Sequence, residues 1–137
     1  MTSSAYTKNE NEYPWEYEVG EEGRSDAIRW RTLLSGDKTP TEKISMGTLE
    51  LPSNTVLRPH HHAAMEVYYI TKGEGILLIG EEQRKVKAGD IVYLPCNFIH
   101  GIKNVGQQLL TLVWMFPTDT WSEIVYHNDD NSEFITD

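Results

Sequence analysis

The sequence predicts an all-β domain, an antiparallel double-stranded β-helix of the jelly-roll type. From Lys43 onward, short runs rich in β-branched and aromatic residues recur at regular spacing. Turn signals built on Gly, Pro and Asn separate these runs. Many short strands with such punctuation are typical of a sandwich or a jelly-roll barrel. Helix is expected at most in the N-terminal third and over residues 120–124.

The predicted elements follow one another along the chain. Residues 27–34 predict a strand or a short helix, which the turn around Gly36 closes. Tyr13, Trp15 and Tyr17 alternate before it, which is compatible with an added edge strand. The later strands are predicted over 45–51, 66–71, 75–79, 83–87, 91–94, 101–104 and 108–116. The alternating apolar face of the last run is expected to lie in the core: Leu110, Leu112, Trp114 and Phe116.

Acidic residues are concentrated at the two ends of the chain, which has 137 residues and a formal net charge of −9. Residues 1–26 contain seven acids and two bases, and residues 119–137 contain six acids and no base. We therefore expect an acidic N-terminal arm over 1–26, a barrel over 27–126 and an acidic tail over 127–137. An acidic chain lacks the basic footprint that phosphate binding needs, so neither nucleic acid nor an anionic membrane is an expected partner.

Composition also predicts the compartment. The apolar runs are far shorter than the about 20 residues that a membrane-spanning helix needs. The first residues have neither the basic start nor the apolar segment of a signal peptide. A single cysteine, Cys96, rules out an internal disulfide and suits a reducing environment. The expected location is the cytoplasm.

A cluster of histidines with one glutamate is the most informative chemical feature. Alternation in an extended chain places His60 and His62 on one face. Glu66 starts the next predicted strand, and His100 supplies a fourth donor from a later one. Imidazoles combined with a carboxylate are a usual donor set for a divalent transition metal. Three imidazoles and one carboxylate leave two positions open on a six-coordinate ion.

Two other interpretations of the cluster stay open. The histidines either fill a barrel interior without a metal, or bind a metal without catalysing a reaction. Four donors in register rarely gather without a metal, which favours the metal site. Outside the cluster, we expect His61 to point outward, His127 to be exposed in the acidic tail, and Cys96 to be a bystander in a turn.

The spacing of these residues resembles the two metal-binding motifs of the cupin superfamily. The first motif is matched by His60-x-His62-x3-Glu66-x6-Gly73, and the second by Gly89-x5-Pro95-x4-His100-x3-Asn104. Two glycines of the family pattern are replaced here, by Asn54 and Asn97. Asparagine is the residue after glycine that best tolerates a positive φ, so we expect both turns to keep their shape.

The resemblance implies that His60, His62, Glu66 and His100 bind one divalent ion. The ion is Fe(II), Mn(II), Ni(II), Co(II) or Zn(II), because this donor set does not choose among them. Its open positions would let it act as a Lewis acid on a substrate carboxylate or bind dioxygen beside a chelating substrate.

A catalytic base is expected on the same face as the donors. Tyr68 follows Glu66 by two residues, so alternation places its ring beside the ligands. A neighbouring divalent cation would favour the phenolate and bring the pKa of Tyr68 below its ordinary value of about 10. The alternative is an aromatic residue that only lines the pocket.

Two further segments indicate a smaller group of proteins within the cupin superfamily. Residues 29–34 and 116–126 are similar to those of short single-domain cupins that include the dimethylsulfoniopropionate (DMSP) lyases, and the likeness extends over 29–126. It implies catalytic roles for Tyr68 and for a second tyrosine, Tyr126. The implied reaction is proton abstraction with β-elimination, which gives dimethyl sulfide and acrylate. Trp114 or Phe116 would hold the substrate's sulfonium by cation–π attraction.

Similar segments also occur in polyketide-cyclase-like cupins. A cyclase or isomerase, an Fe(II) dioxygenase and a non-catalytic small-molecule-binding protein therefore stay open. Pocket volume discriminates among them: a cyclase needs room for a larger, flatter substrate, and a binding protein would have a sealed or very small pocket. The expected partners are a small-molecule substrate and a second copy of the chain. The homodimer would form by packing or pairing an edge strand that carries Tyr13, Trp15 and Tyr17.

Overall fold

The computed structural model of the protein describes residues 5–129, 132 and 134. These residues form eleven strands and two short 3-10 helices, Glu10–Glu12 and Trp121–Glu123, with no α-helix among them. The strands are β1 Glu16–Tyr17, β2 Arg29–Leu34, β3 Ser45–Leu51, β4 Val56–His61, β5 Glu66–Lys72, β6 Glu74–Ile79, β7 Glu82–Lys87, β8 Ile91–Leu94, β9 His100–Lys103, β10 Leu110–Phe116 and β11 His127–Asn128. Within the described ranges, no helix is long and apolar enough to cross a membrane.

The strands form two antiparallel sheets that enclose one core. The six-stranded sheet has the order β1-β2-β3-β10-β5-β8, and the five-stranded sheet has the order β11-β4-β9-β6-β7. Every pair of neighbouring strands is antiparallel. From β3 to β11 the chain crosses between the two sheets at every step except from β6 to β7. The predicted all-β, antiparallel jelly-roll class is confirmed.

Alternating burial along the strands builds the core. In β3 and in β10, every second residue is buried and the residues between them are partly exposed. The predicted core face of β10, Leu110, Leu112, Trp114 and Phe116, is buried. Burial of a large apolar side chain contributes about 1.5–3 kcal/mol, so these two adjacent strands supply much of the driving force for folding.

One strand beside the site was not predicted from the sequence. β4 includes Arg58 and Pro59 and ends at His61, so it lacks the apolar alternation by which strands are recognised. Its pairing with β9 is irregular between Leu57 and His60. Pro59 lies in that irregular stretch, where the missing N–H costs little of the ladder.

The predicted arm and tail each contribute a short strand to the sheets. β1 pairs with β2, which resolves the ambiguous segment 27–34 as a strand rather than a helix. β11 pairs with β4 in the five-stranded sheet. Residues 130, 131, 133 and 135–137 of the predicted tail lie outside the described residues, and the proposed domain boundaries stay a prediction.

The aromatic side chains of the arm contact their own barrel. The guanidinium carbons of Arg29 and Arg31 lie 3.8 and 3.7 Å from the ring centroid of Trp15. The hydroxyl groups of Tyr13 and Tyr6 are 2.7 Å apart. Part of the apolar surface on which an arm-mediated homodimer was predicted is therefore used within the chain.

The asparagines that replace the motif glycines adopt the predicted conformation. Asn54 has φ 66° and Asn97 has φ 60°, both in the left-handed region. The backbone N–H of Asn97 donates to the carbonyl oxygen of His62 at 2.8 Å. This turn therefore supports the loop that carries one of the candidate metal donors.

A glycine in β3 is required by close packing. A Cβ on Gly47 would lie 2.0 Å from the carbonyl oxygen of Arg31 and 2.4 Å from Cζ2 of Trp114. Gly47 pairs directly with Trp114 across the β3–β10 ladder. The absence of a side chain at Gly47 thus lets the indole of Trp114 pack directly against the β3 backbone.

Candidate metal centre

Three strands bring the four predicted donors together. His60 lies near the end of β4, Glu66 begins β5 and His100 begins β9, with His62 just beyond β4. His60 and His100 are direct partners in the β4–β9 ladder, and their ring centroids are 4.3 Å apart. The nitrogen donors of the three histidines all lie within 4.8 Å of one another, and all four side chains are buried.

Backbone carbonyls fix the tautomer of each histidine. The Nδ1 atom of each ring lies 2.6–2.8 Å from a carbonyl oxygen two residues away, and the three carbonyls belong to Arg58, Ala64 and Phe98. A carbonyl oxygen only accepts hydrogen bonds, so each Nδ1 carries the hydrogen. In the neutral rings the lone pair is therefore on Nε2, the arrangement by which metal-binding histidines are oriented.

The carboxylate of Glu66 faces these lone pairs. Its Oε1 atom is 3.1 Å from Nε2 of His62 and 3.3 Å from Nε2 of His100. The His100 nitrogen is buried and has no hydrogen-bond partner of suitable geometry in the described part of the chain. The lone pairs on these nitrogens repel the carboxylate oxygen unless a proton or a cation lies between them. A divalent cation supplies that charge, so the residues present fit a metal ion with three nitrogen donors and one oxygen donor.

The close packing of the donors shifts the pKa values of His60, His62 and Glu66. Burial, reinforced by the neighbouring His100, lowers the pKa of His60 to about 4. Burial also opposes the charges on His62 and Glu66, but it is outweighed: contact with Glu66 raises the pKa of His62, and contacts with His100 and His62 lower the pKa of Glu66. A neutral His60 and an ionised Glu66 are in the protonation states that metal binding requires.

Tyr68 lies beside the donors, as its position in β5 predicted. Its side chain is buried, and its ring centroid is 6.1 Å from that of His100. Burial, followed by the charges of Glu66 and Tyr126, raises the pKa of Tyr68 well above its ordinary value. The neighbouring protein groups thus raise the pKa of Tyr68, whereas a lowered pKa was predicted. Among the expected components of the site, a bound cation is the one that would lower it.

Tyr126 approaches the donors from the segment that precedes β11. Its ring centroid is 5.4 Å from that of His60 and 5.3 Å from that of His62. Its hydroxyl oxygen accepts a hydrogen bond from Nε1 of Trp121 at 3.0 Å. Partial burial and the Glu66 carboxylate raise the pKa of Tyr126, which stays 43% exposed. Sequence reasoning found Tyr126 only through the family resemblance and missed the role of Trp121.

The remaining histidines lie on the outer side of β4. His61 points away from the cluster, as predicted, and its ring stacks on that of His127 with centroids 5.1 Å apart. These two residues are direct partners in the β4–β11 ladder. His127 is exposed, as predicted, but its stacking partner was not foreseen. Cys96 is exposed in its turn.

A cavity of about 750 Å³ opens onto the cluster. His60 and Glu66 form part of its lining. Five aromatic residues form its walls: Trp30, Tyr68, Trp114, Trp121 and Tyr126. Phe116 was predicted as an alternative to Trp114 for holding a cation, but it does not line the cavity. Its ring packs against His62 instead, at 5.1 Å.

Charged side chains from the N-terminal segment also line this cavity. They are Glu18, Glu21 and Asp26, and Arg58 lies among the lining residues as well. Arg24 forms ion pairs with Glu21 and Asp26, which tie this acidic segment together. With Arg24 counted, three carboxylates stand against two guanidinium groups, and Glu66 adds a further negative charge.

Comparison with other sequences agrees with the motifs. The family model for the cupin domain matches residues 47–116. Dimethylsulfoniopropionate lyase DddW of Ruegeria pomeroyi is 30% identical over 99 residues, which cover 72% of this chain and 64% of that protein. The oxalate-binding protein of Thermotoga maritima is 27% identical over 85 residues, or 61% of this chain and 70% of that protein. The chain thus matches somewhat under two thirds of the lyase.

Solved structures share the fold at low identity. The polyketide cyclase RemF from Streptomyces resistomycificus superposes with a TM-score of 0.75 at 18% identity, covering 95% of this chain and 89% of that chain. A predicted oxalate decarboxylase from Thermotoga maritima has a TM-score of 0.71 at 23% identity, covering 82% of this chain and 99% of that chain. With the jelly roll, the two motifs and a family match that spans half of its length, this chain belongs to the cupin family.

Proposed function

We propose that this cupin is a metal-dependent lyase that acts on a small carboxylate substrate, with DMSP as the leading candidate. The observation that carries the proposal is the cluster of four donors, of which His60 and Glu66 line a cavity with aromatic walls. The similarity to a protein named as a DMSP lyase supports the choice of substrate.

The cavity suits a substrate with an anionic and a cationic end. The carboxylate of DMSP would lie at the donor cluster, and its sulfonium would contact the aromatic faces of Trp114 and Trp121. The carboxylates of Glu18, Glu21 and Asp26, two of which are paired with Arg24, leave a small negative balance that favours a cationic group over a dianion such as oxalate. The charge of the lining therefore supports DMSP over a dicarboxylate.

The chain's own residues have separate tasks in this reaction. A bound divalent ion would supply Lewis acidity to the substrate carboxylate and so acidify the adjacent C–H bond. Tyr68, as phenolate, takes the proton from that carbon. A carbon–carbon double bond forms as the carbon–sulfur bond breaks and its electron pair leaves with sulfur. The products are acrylate and dimethyl sulfide, with the proton on Tyr68. Tyr126, held by Trp121, orients the substrate.

The cavity volume favours a second candidate function. About 750 Å³ exceeds what a molecule as small as DMSP fills, and it falls in the range of sites for larger ligands. Cyclisation or isomerisation of a larger, flatter substrate would use the same base and the same Lewis acid. An Fe(II) dioxygenase remains an alternative that oxygen consumption would reveal. A non-catalytic binding protein was expected to have a sealed or very small pocket, which this volume does not favour.

Two measurements on one preparation test the proposal. Elemental analysis identifies the ion among Fe, Mn, Ni, Co and Zn, and a headspace assay measures dimethyl sulfide released from DMSP. We expect about one divalent ion per chain and release of dimethyl sulfide that His100→Ala abolishes. A metal-loaded protein that releases none would contradict the lyase and direct attention to the cyclase.

We also propose a cytoplasmic location and a homodimeric assembly. A lone, exposed Cys96 supports a reducing, cytoplasmic environment. The working form is a homodimer that acts on a small molecule. Fractionation of the source cells and sedimentation of the purified protein check these two points.

A further inference from the structure

Lys43 has a backbone conformation that its residue type rarely adopts. It is one of three non-glycine residues with positive φ in the described part of the chain, at 67°, and the other two are asparagines. Asparagine tolerates this region, whereas a lysine pays its steric cost in full. Such a conformation persists only where surrounding contacts impose it, and residues of this kind are concentrated at functional sites. The contacts that Lys43 makes therefore merit a functional explanation.

The contact that fixes Lys43 is made with Asp119. The backbone N–H of Lys43 donates to Oδ1 of Asp119 at 2.7 Å, although the two residues are 76 positions apart in sequence. The backbone N–H of Gly36 donates to the carbonyl oxygen of Asp119 at 2.6 Å. Hydrogen bonds to a carboxylate are among the stronger ones in proteins. The loop between β2 and β3 therefore binds both the side chain and the main chain of Asp119.

A third hydrogen bond from this loop reaches Trp121. Ser35 is 1% exposed, and its hydroxyl donates to the carboxylate of Asp37. Its oxygen therefore keeps a lone pair, which accepts the backbone N–H of Trp121 at 2.9 Å. We define the loop contact as these three hydrogen bonds, which join Ser35, Gly36 and Lys43 to Asp119 and Trp121.

The loop contact is closely packed. A Cβ on Gly36 would lie 2.9 Å from the carbonyl oxygen of Asp119 and 3.0 Å from that of Thr41. Both are backbone atoms, so a side chain at this position would push the two segments apart. Next to them, Oγ of the buried Ser45 lies 2.8 Å from Oγ1 of Thr118. The chain after β10 is thus fixed against the β2–β3 loop.

Trp121 connects the loop contact to the metal centre. Its Nε1 atom donates to the hydroxyl oxygen of Tyr126 at 3.0 Å, and both side chains line the cavity. The ring centroid of Tyr126 is 5.4 Å from that of His60 and 5.3 Å from that of His62. Pairing of β11 with β4 holds the same segment just beyond Tyr126. The segment that carries both aromatic residues is therefore held at its two ends.

We propose that Asp119 is a positioning residue: through the loop contact it fixes Trp121, and through Trp121 it orients Tyr126 at the metal centre. In the described structure Asp119 is exposed and is not part of the cavity lining, so it acts only through Trp121. Its effect on turnover rests on the proposed function. Its effect on the hydrogen bond between Trp121 and Tyr126 does not.

Nuclear magnetic resonance of the zinc-loaded protein, which is diamagnetic, tests this hydrogen bond directly. Four tryptophans give four indole N–H signals, and Trp121→Phe identifies the signal of Trp121 by its loss. In Asp119→Ala we expect a selective shift of this signal and about fivefold faster exchange of its hydrogen with solvent, equivalent to about one neutral hydrogen bond. Asp119→Asn keeps an oxygen that accepts from Lys43 and should give the wild-type signal.

A matched control and a turnover assay complete the experiment. Asp90 also accepts a backbone N–H, from Lys87 at 2.8 Å, in the turn between β7 and β8, so Asp90→Ala should leave the Trp121 signal unchanged. In an assay of dimethyl sulfide release, Asp119→Ala should lower kcat about fivefold. In the Trp121→Phe background the same substitution should have no further effect, because residues that act through one another are not additive.

The outcomes separate this proposal from the lyase. An unchanged Trp121 signal in Asp119→Ala overturns the positioning role, and so does an equal change in Asp119→Asn or Asp90→Ala. Additive losses of kcat in the double variant would also overturn it, because Asp119 would then act by another route. A wild type that releases no dimethyl sulfide contradicts the lyase alone, and the Trp121 signal still decides the role of Asp119.

Discussion

The indole nitrogen of Trp121 donates a hydrogen bond to the hydroxyl oxygen of Tyr126 at 3.0 Å. Because this bond uses an oxygen lone pair, the hydroxyl hydrogen of Tyr126 stays available to donate to another group. Trp121 also contacts Trp30 and Trp114, with ring centroids 5.9 Å away in each case. Trp121 therefore holds Tyr126 in place relative to the metal donors.

Loss of this hydrogen bond should reduce turnover without unfolding the protein. Trp121→Phe keeps an aromatic ring but removes the donor, and one neutral hydrogen bond corresponds to about 1 kcal/mol or roughly a fivefold change. We expect kcat on the active substrate to fall by about that factor, with unchanged metal content. Trp30→Phe is the control, because Nε1 of Trp30 has no hydrogen-bond partner among the described residues. An equal loss in both variants would assign the effect to packing.

Removal of a histidine donor should abolish metal binding. His100→Ala takes away a nitrogen that nothing else in the described structure satisfies, and we expect metal content by elemental analysis to fall below a tenth of the wild-type value. His127→Ala alters an exposed histidine outside the cluster and should leave the content unchanged. Full occupancy in His100→Ala would show that the donor set has been misassigned.

Removal of the metal itself should destabilise the protein. A ligand that binds only the folded state, at a hundredfold excess over its Kd, adds about 2.7 kcal/mol. Dialysis against a chelator should therefore lower Tm by several degrees, and addition of the native ion should restore it. In the His100→Ala variant the same treatment should have no effect on Tm, which separates metal binding from non-specific effects of the chelator.

Tyr68→Phe distinguishes catalysis from binding. The substitution keeps the buried ring and removes only the hydroxyl, so metal content and Tm should stay close to wild type. Turnover should fall by about two to four orders of magnitude, the usual contribution of a positioned base. Tyr69→Phe, on the opposite face of the same strand, should be neutral, and Tyr126→Phe should be milder than Tyr68→Phe. Near-full activity of Tyr68→Phe would place the base elsewhere.

Gly47→Ala should cost about 3 kcal/mol or more in the free energy of unfolding. The added methyl group would overlap the Arg31 carbonyl and the Trp114 indole, and neither can move without disturbing the sheet. Urea unfolding monitored by tryptophan fluorescence measures this loss. Gly106→Ala is the matched control, because its nearest neighbours would be 3.6 Å from the new Cβ. Equal stability of the two variants would contradict the packing argument.

The sequence by itself determined the features that depend on the type of a residue and on its near neighbours along the chain. Alternation of apolar residues predicted β3 at its observed bounds and the buried face of β10, because the side-chain period of a strand is two. Motif spacing selected His60, His62, Glu66 and His100, which the structure brings together. The positive φ of Asn54 and Asn97 followed from the conformational tolerance of asparagine.

Tertiary structure alone decided the features that depend on which strands meet. β4 has no apolar alternation and exists because β9 and β11 supply backbone partners on its two sides. The hydrogen bond between Trp121 and Tyr126, the inclusion of Trp114 and exclusion of Phe116 from the cavity wall, and the raised pKa of Tyr68 all arise from groups on different elements. Pairing across the sheets is set by the burial of the whole core, and no local pattern records distances between residues that meet only when that core closes.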